Sequence, residues 1–196
     1  GRCAMGEIDL ERLAAGYAHR RTSPAARRRA AAAAAAAGLG LGSVALDVGG
    51  GRGDHALLMA ATGARAVVAD RSPAMARAAR EQGLAAVVAD GSALPMGDAT
   101  VRLVYFHLSL HYGGWEAWLS EAARVLRPGG LVVAWTFARE HFRRRLLSHW
   151  FPSITAIDEA RFPDPDLLAA RMEALGLDEV TQAAETEVAG RRAEDW

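Results

Sequence analysis

The sequence predicts a single doubly wound α/β domain, an open and mostly parallel sheet with helices on both faces. Three observations lead there. Short β-branched runs recur from residue 43 onward, helix-forming segments separate them, and the first three runs each end in an aspartate. The chain has 196 residues, enough for one ordinary domain and too few for two catalytic ones. Hydrophobic residues make up 51% and charged residues 23%, which excludes disordered, collagen-like and coiled-coil classes.

The elements follow in order. Residues 7–20 place Leu10, Leu13 and Tyr17 at helical spacing, and Ser23-Pro24 reads as an N-cap and first helical position for an Arg/Ala run that Gly38 ends. Residues 1–38 are therefore expected to form N-terminal lid helices. The strand candidates are Val44–Asp47, Ala66–Asp70, Ala86–Asp90, Val101–Phe106 and Leu131–Phe137, with helices at about 54–62, 73–82, 115–127 and 165–175. Arg127-Pro-Gly-Gly130 reads as a helix end and turn. Residues 139–164 interrupt the rhythm and read as a cap insertion over the sheet end, so 43–138 is the ligand-binding core. Residues 165–196 supply a C-terminal helix and a sixth strand at about 179–188.

The 23 basic residues, all Arg, balance 23 acidic ones, which removes the overall positive field of a nucleic-acid binder. Arginine without lysine, beside heavy Ala and Gly use, fits a GC-rich bacterial genome. The single Cys3 makes no internal disulfide and no thiolate metal site. No apolar run reaches membrane-span length and no segment reads as a signal peptide, so a cytoplasmic protein without a membrane partner is expected. Oligomeric state is not legible, a homodimer being one option.

In open α/β sheets a ligand binds beyond the carboxyl ends of the strands. The first strand runs into Asp47-Val-Gly49-Gly-Gly51-Arg-Gly53, where glycines let the backbone turn tightly and approach a ligand. Asp54 stands where it can cap the next helix. Asp70, about 20 residues after the first glycine, is placed to accept from ribose hydroxyls, and Asp90-Gly91 to accept from an adenine amino group. The loop also satisfies a dinucleotide fingerprint. A pyrophosphate, however, wants helix amides and no carboxylate nearby, whereas Asp47 suits the ammonium of a cationic nucleoside.

Leu46–Gly53, Val68–Met75, Val88–Met96, Leu108–Tyr112 and Arg124–Gly130 together resemble the class I S-adenosylmethionine-dependent methyltransferases, in the small-molecule branch called methyltransferase type 11 or UbiE-like. The resemblance implies a Rossmann-like fold, S-adenosylmethionine as cofactor and S-adenosylhomocysteine as product. It places Asp47, Gly49 and Gly51 at the methionine part, with Gly53 in the same cofactor-binding loop, Asp70 at the ribose, and Arg71 and Met75 at the adenine face. Asp90, Gly91 and Ser92 fall at the adenine edge, Phe106 and His107 at the methionine end, and Tyr17 in the N-terminal helix that closes over the cofactor. The family ends in an antiparallel hairpin, yet seven residues follow Ala189, so the last strand of the sheet is expected either to lie outside this sequence or to be replaced by another chain that fills the gap.

Methyl transfer is an in-line displacement in which alignment and water exclusion supply much of the rate, so a protein base is optional. His111 is the first candidate base for a hydroxyl acceptor and His107 the second. A His107/His111 metal pair lacks a helix and a companion carboxylate, so no metal is expected. The Asn/Asp-Pro-Pro-aromatic motif of base methylation is absent, with Phe106-His-Leu-Ser109 in its place. Residues 139–151 read as a basic amphipathic helix. As a substrate cap with Tyr112, Phe142, Trp150 and Phe151 it would favour an aromatic or apolar small-molecule acceptor. A nicotinamide oxidoreductase and a non-catalytic cofactor-binding module are the alternatives.

Overall fold

The computed structural model describes residues 22–185. In chain order these form α1 (Pro24–Ala36), β1 (Val44–Val48), α2 (Asp54–Ala60), β2 (Arg65–Asp70), α3 (Pro73–Glu81), β3 (Ala85–Val88), β4 (Val101–His107), a 3₁₀ turn (Leu110–Tyr112), α4 (Trp115–Val125) and β5 (Leu126–Trp135). Three short helices follow, α5 (Arg139–Arg144), α6 (Leu146–Trp150) and α7 (Pro152–Arg161), and then α8 (Pro165–Ala174). The five strands lie in the order β3-β2-β1-β4-β5 and every described pair is parallel. Strand order reverses between β1 and β4, which puts the switch point beside the glycine loop.

Alternation along the strands divides the core. Leu46, Val48, Val104 and Phe106 face α4 and α8, packing on Trp118, Leu119, Ala122, Val125 and Leu168. The opposite face presents Ala45, Val68, Leu103 and Tyr105 to α1, α2 and α3. The alanine tract of α1 explains how that helix lies so close: Ala30, Ala33, Ala34 and Ala37 are buried there. Ser23 caps it, its Oγ accepting from the Ala26 amide at 3.1 Å. This helix is thus part of the core covering and not a lid, because its buried face is spent on the sheet. The earlier helix expected at 7–20, with Tyr17, lies outside the described residues.

Arg127–Gly130 departs from the expected helix end. The helix stops at Val125, β5 begins at Leu126 opposite Val101, and pairing resumes at Leu103 with Leu131, so the four residues between form a bulge. Residues 179–185 of the expected sixth strand form none, and 186–188 lie outside the described residues. The basic segment is not one helix either: Arg145 has an extended backbone with ψ 137 and separates α5 from α6. Its charges turn inward on α7 and the start of α8, Arg145 pairing Asp158 at 2.6 Å, Arg143 pairing Glu159 at 2.9 Å and Arg139 pairing Asp164 at 2.7 Å. Among the described residues no helix is long and apolar enough to cross a membrane.

Candidate functional site

The carboxyl ends of β1, β2 and β4 meet around the glycine loop. Gly49, Gly51 and Gly53 all take positive φ. At Gly53, the N-cap of α2 with φ 88, a Cβ would also stand 2.3 Å from Leu84 Cδ1, so only glycine fits. Asp54 is not the cap. It follows Gly53 in the first turn, and its carboxylate accepts from Thr22 Oγ1 at 2.7 Å and from Arg52 Nε at 3.0 Å. A Cβ on Gly49 would meet Ser109 Cβ at 2.5 Å, and Ser109 Oγ donates to the Val48 carbonyl at 2.7 Å, binding the loop after β4 to the end of β1.

Asp47 lies beneath this loop and is 1% exposed. Neither carboxylate oxygen has a hydrogen-bond partner. Burial first, then the charge of Asp70, push its carboxyl up to about 7, against a weaker downward pull from the Ala56 backbone. A buried acid held at the edge of ionisation is a place for a positive charge.

The adenosine side is built differently. Asp70 Oδ2 accepts from the Gly51 amide at 2.8 Å and Oδ1 from the Ser72 amide at 2.9 Å, so this carboxylate fixes both the loop and the start of α3. Asp90 Oδ1 accepts from Ser92 N at 2.8 Å, Ser92 Oγ at 2.6 Å and Trp118 Nε1 at 3.1 Å, while Oδ2 pairs with Arg71 Nε at 3.2 Å. Partial burial opposes its ionisation, but the bonds from Ser92, the Arg71 guanidinium and the Trp118 indole outweigh that and hold the carboxyl below its ordinary range. Arg71 also donates to the Tyr112 carbonyl at 3.1 Å, and a Cβ on Gly51 would sit 3.7 Å from Met75 Sδ. Phe106 is buried and stacks with Trp118 at 6.5 Å between ring centres.

Trp118 was not legible as a site residue, since nothing in a helix heptad marks one apolar position over another. The glycines around it are its only trace: a Cβ on Gly91 or Gly113 would lie 2.3 or 2.4 Å from its ring. Glu121 and Arg124 were missed too. Arg124 donates to the Leu94 and Met96 carbonyls at 3.0 Å each, and Glu121 Oε2 accepts from the Leu94 amide at 2.9 Å, so α4 holds the segment after Asp90 in place.

On the other side of Asp47 lies a second polar group. Asp47 is register partner of Tyr105 and His107 of Trp135, so the four side chains share one face of the sheet. His55 of α2 covers them, with its ring centre 4.4 Å from that of His107 and 5.6 Å from that of Tyr105. Tyr105 Oη, His55 Nε2, His107 Nε2 and Trp135 Nε1 are all buried without a partner. Burial, then the charges of His55 and Arg29, lower His107 to about 3. Burial likewise lowers His55 and raises Tyr105, so both stay neutral near pH 7.

His111 sits apart, in the 3₁₀ turn under the cap. Its ring is 3.9 Å from Tyr112 and 3.9 Å from Phe162, nearly parallel to the latter. Burial, followed by the Arg161 charge, lowers it to about 4. Phe137, His141, Phe142 and Phe162 complete an aromatic cluster, with Phe137 and His141 stacked at 4.0 Å. Phe142 belongs to it. Trp150 and Phe151 do not enter it and are 72% and 55% exposed.

A family model described as a methyltransferase domain matches residues 46–134. Demethylmenaquinone methyltransferase from Mycobacterium sp. (strain JLS) is 35% identical over 106 residues, covering 52% of this chain and 44% of that protein. The ubiquinone/menaquinone biosynthesis C-methyltransferase UbiE of Acidiphilium cryptum is 31% identical over 165 residues, covering 69% of this chain and 66% of that protein. The chain thus spans less than half of the mycobacterial relative and about two thirds of the other. A solved structure from Anabaena variabilis, described as a methyltransferase of an antibiotic biosynthesis pathway, superposes with TM-score 0.63 at 25% identity, covering 76% of this chain and 60% of that one.

Proposed function

Because the chain belongs to the class I S-adenosylmethionine-dependent methyltransferases, in their UbiE-like branch, we propose that it transfers a methyl group from S-adenosylmethionine to a small-molecule acceptor. The observation that carries this reading is Asp47, a buried and unpartnered carboxylate under a glycine loop, with Asp70 and Asp90 beside it at the ends of neighbouring strands. When bound, S-adenosylmethionine supplies an electrophilic methyl group on a sulfonium. Asp70 is poised for the ribose and Asp90 with Ser92 for the adenine edge, while Gly49 and Gly51 let the backbone approach the methionine part. A dinucleotide fits worse, since its pyrophosphate would lie against Asp47.

His107 and His111, at about 3 and 4, are neutral at pH 7 and are weak bases. In this reading His111, under the aromatic cap, orients the acceptor by hydrogen bonds and stacking, and the acceptor brings a nucleophile that needs little help with its proton. The aromatic cap around Phe137, Phe142 and Phe162 favours a flat or apolar acceptor and excludes water. The names of the demethylmenaquinone relatives point the same way. A cytoplasmic setting fits the lone Cys3.

Calorimetric titration with S-adenosylmethionine, S-adenosylhomocysteine and NAD, followed by methyl transfer to a panel of hydroquinones and saturated alcohols, tests the proposal. Micromolar binding of both sulfur nucleosides and methylation confined to the hydroquinones is expected. Binding of NAD alone, or of no nucleoside, would overturn it.

A further inference from the structure

Three arginines of the cap are spent on acids. Arg139 pairs Asp164, Arg143 pairs Glu159 and Arg145 pairs Asp158, which uses both acids of α7, and Arg144 is exposed to water. Arg161, the last residue of α7, is different. It is half-buried, and among the described residues no carboxylate pairs with it and no carbonyl accepts from it. Its guanidinium carbon lies 5.9 Å from the centre of the Tyr112 ring. That contact satisfies one face of the guanidinium and leaves the N–H donors at its rim unused, so this half-buried cation is set to meet an anion from outside the fold.

The position of Arg161 is fixed from both sides. The Phe162 amide closes α7 on the Asp158 carbonyl at 2.9 Å, and Thr136 Oγ1, just past the end of β5, donates to the Pro163 carbonyl at 3.4 Å. Phe162 thereby stacks on His111, and Arg161 is held at the 3₁₀ turn that follows β4, on the carboxyl side of the sheet where an open α/β fold takes its ligands. His111 makes no side-chain hydrogen bond to the described residues, and burial, then the Arg161 charge, keep it neutral with one N–H to give. Asp158, the acid whose charge also reaches His111, is already paired with Arg145. A guanidinium fork, an imidazole N–H and the flat faces of Phe137 and Phe162 together complement an aromatic body that carries a carboxylate.

We propose that Arg161, with His111 beside it, anchors a carboxylate on the methyl acceptor, and that the acceptor is an aromatic acid. This rests on the methyl-transfer reading above and narrows it, from flat or apolar acceptors to those that bring their own negative charge. Held by the guanidinium, the carboxylate is an anchor and a weakened nucleophile, so the methyl group goes to another atom of the same molecule. The carboxylate at the cofactor's amino-acid end has the same chemistry, and the experiment separates the two sources.

The test is calorimetry of 2,5-dihydroxybenzoate and 2,5-dihydroxybenzamide, alike in shape and different in charge, on the free chain and on the chain saturated with S-adenosylhomocysteine. Wild type, Arg161→Gln and Arg161→Lys are compared. Loss of a hydrogen bond to a charged group weakens binding about tenfold or more, so wild type is expected to prefer the benzoate by at least that factor. Arg161→Gln should erase the preference by losing benzoate affinity, and Arg161→Lys, which keeps the charge without the fork, should retain part of it. Affinity for S-adenosylhomocysteine and for 5′-methylthioadenosine, which lacks the amino-acid end, should not change in either variant. Equal affinity of wild type for benzoate and benzamide, or binding of neither, would overturn the proposal. Weaker S-adenosylhomocysteine with methylthioadenosine spared in Arg161→Gln would instead assign the guanidinium to the cofactor's carboxylate. A lowered melting temperature in Arg161→Gln with the benzoate preference intact would reduce Arg161 to a charge that closes α7. If no sulfur nucleoside binds wild type, the methyl-transfer reading fails by itself, and the benzoate and benzamide pair on the free chain still decides the anion site.

Discussion

The two ends of the site keep their acids in opposite ways. At the adenosine end, Asp70 and Asp90 are already bonded to backbone amides, Ser92, Arg71 and Trp118, and the bonds that Asp90 receives hold it below the ordinary carboxylate range. At the methionine end, Asp47 is bare, buried and raised to about 7. The first end is preorganised and gains little by changing on binding. The second stores unfavourable desolvation that a cation relieves, so its contribution to affinity is taken from stability.

The largest expected effect tests that stored desolvation. Asp47 binds its proton up to about pH 7 in the folded chain but only to about its ordinary value of 3.8 when unfolded. Its contribution to stability is therefore complete below that lower value and is lost as pH rises through the window, by about 4 kcal/mol in all. Urea unfolding of wild type and Asp47→Asn at pH 4 and pH 8 should show the wild type losing that much more than the variant. Parallel pH profiles would break the contrast between the two ends.

Next comes Asp70→Ala. It removes the acceptor for both the Gly51 and Ser72 amides, and S-adenosylhomocysteine affinity should fall about a hundredfold, two charge-assisted bonds being worth about 3 kcal/mol together. A change under tenfold in calorimetry would mean that Asp70 does not organise the loop.

How much of this was legible follows the same division. Asp70 and Asp90 announce themselves because a strand end, a glycine and a turn residue are local features. The parallel sheet was legible for the same reason, each β-branched run being bounded by its own breakers. His55, Tyr105 and Trp135 were not, since they come together only through strand register and helix packing, and in sequence they read as ordinary interior residues of α2, β4 and β5. Trp118 is a like case: 28 residues from Asp90, it is joined to it by one indole N–H. At Arg127–Gly130 proline and glycine mark a break that a turn and a bulge share, and only the pairing of Leu126 with Val101 decides for the bulge.

Two smaller effects sharpen the comparison. Trp118→Phe keeps the stack on Phe106 and deletes the bond to Asp90, so S-adenosylhomocysteine and methylthioadenosine should both weaken, by about 1 kcal/mol. Sparing of methylthioadenosine would place Trp118 at the wrong end. Trp150→Ala, at a side chain 72% exposed, should change unfolding free energy by less than about 0.5 kcal/mol and leave cofactor affinity alone, with any effect confined to the acceptor's KM. A joint loss of cofactor affinity would contradict the separation of cap from cofactor site.

The most direct measurement is proton release on cofactor binding. S-adenosylmethionine titrated at pH 6 in two buffers of different ionisation enthalpy should release about one proton per site, because Asp47 is protonated in the free chain and ionises against the bound cation. The Asp47→Asn variant should release none. Equal release from both proteins, or none from the wild type, would contradict the claim that this carboxylate waits for a positive charge.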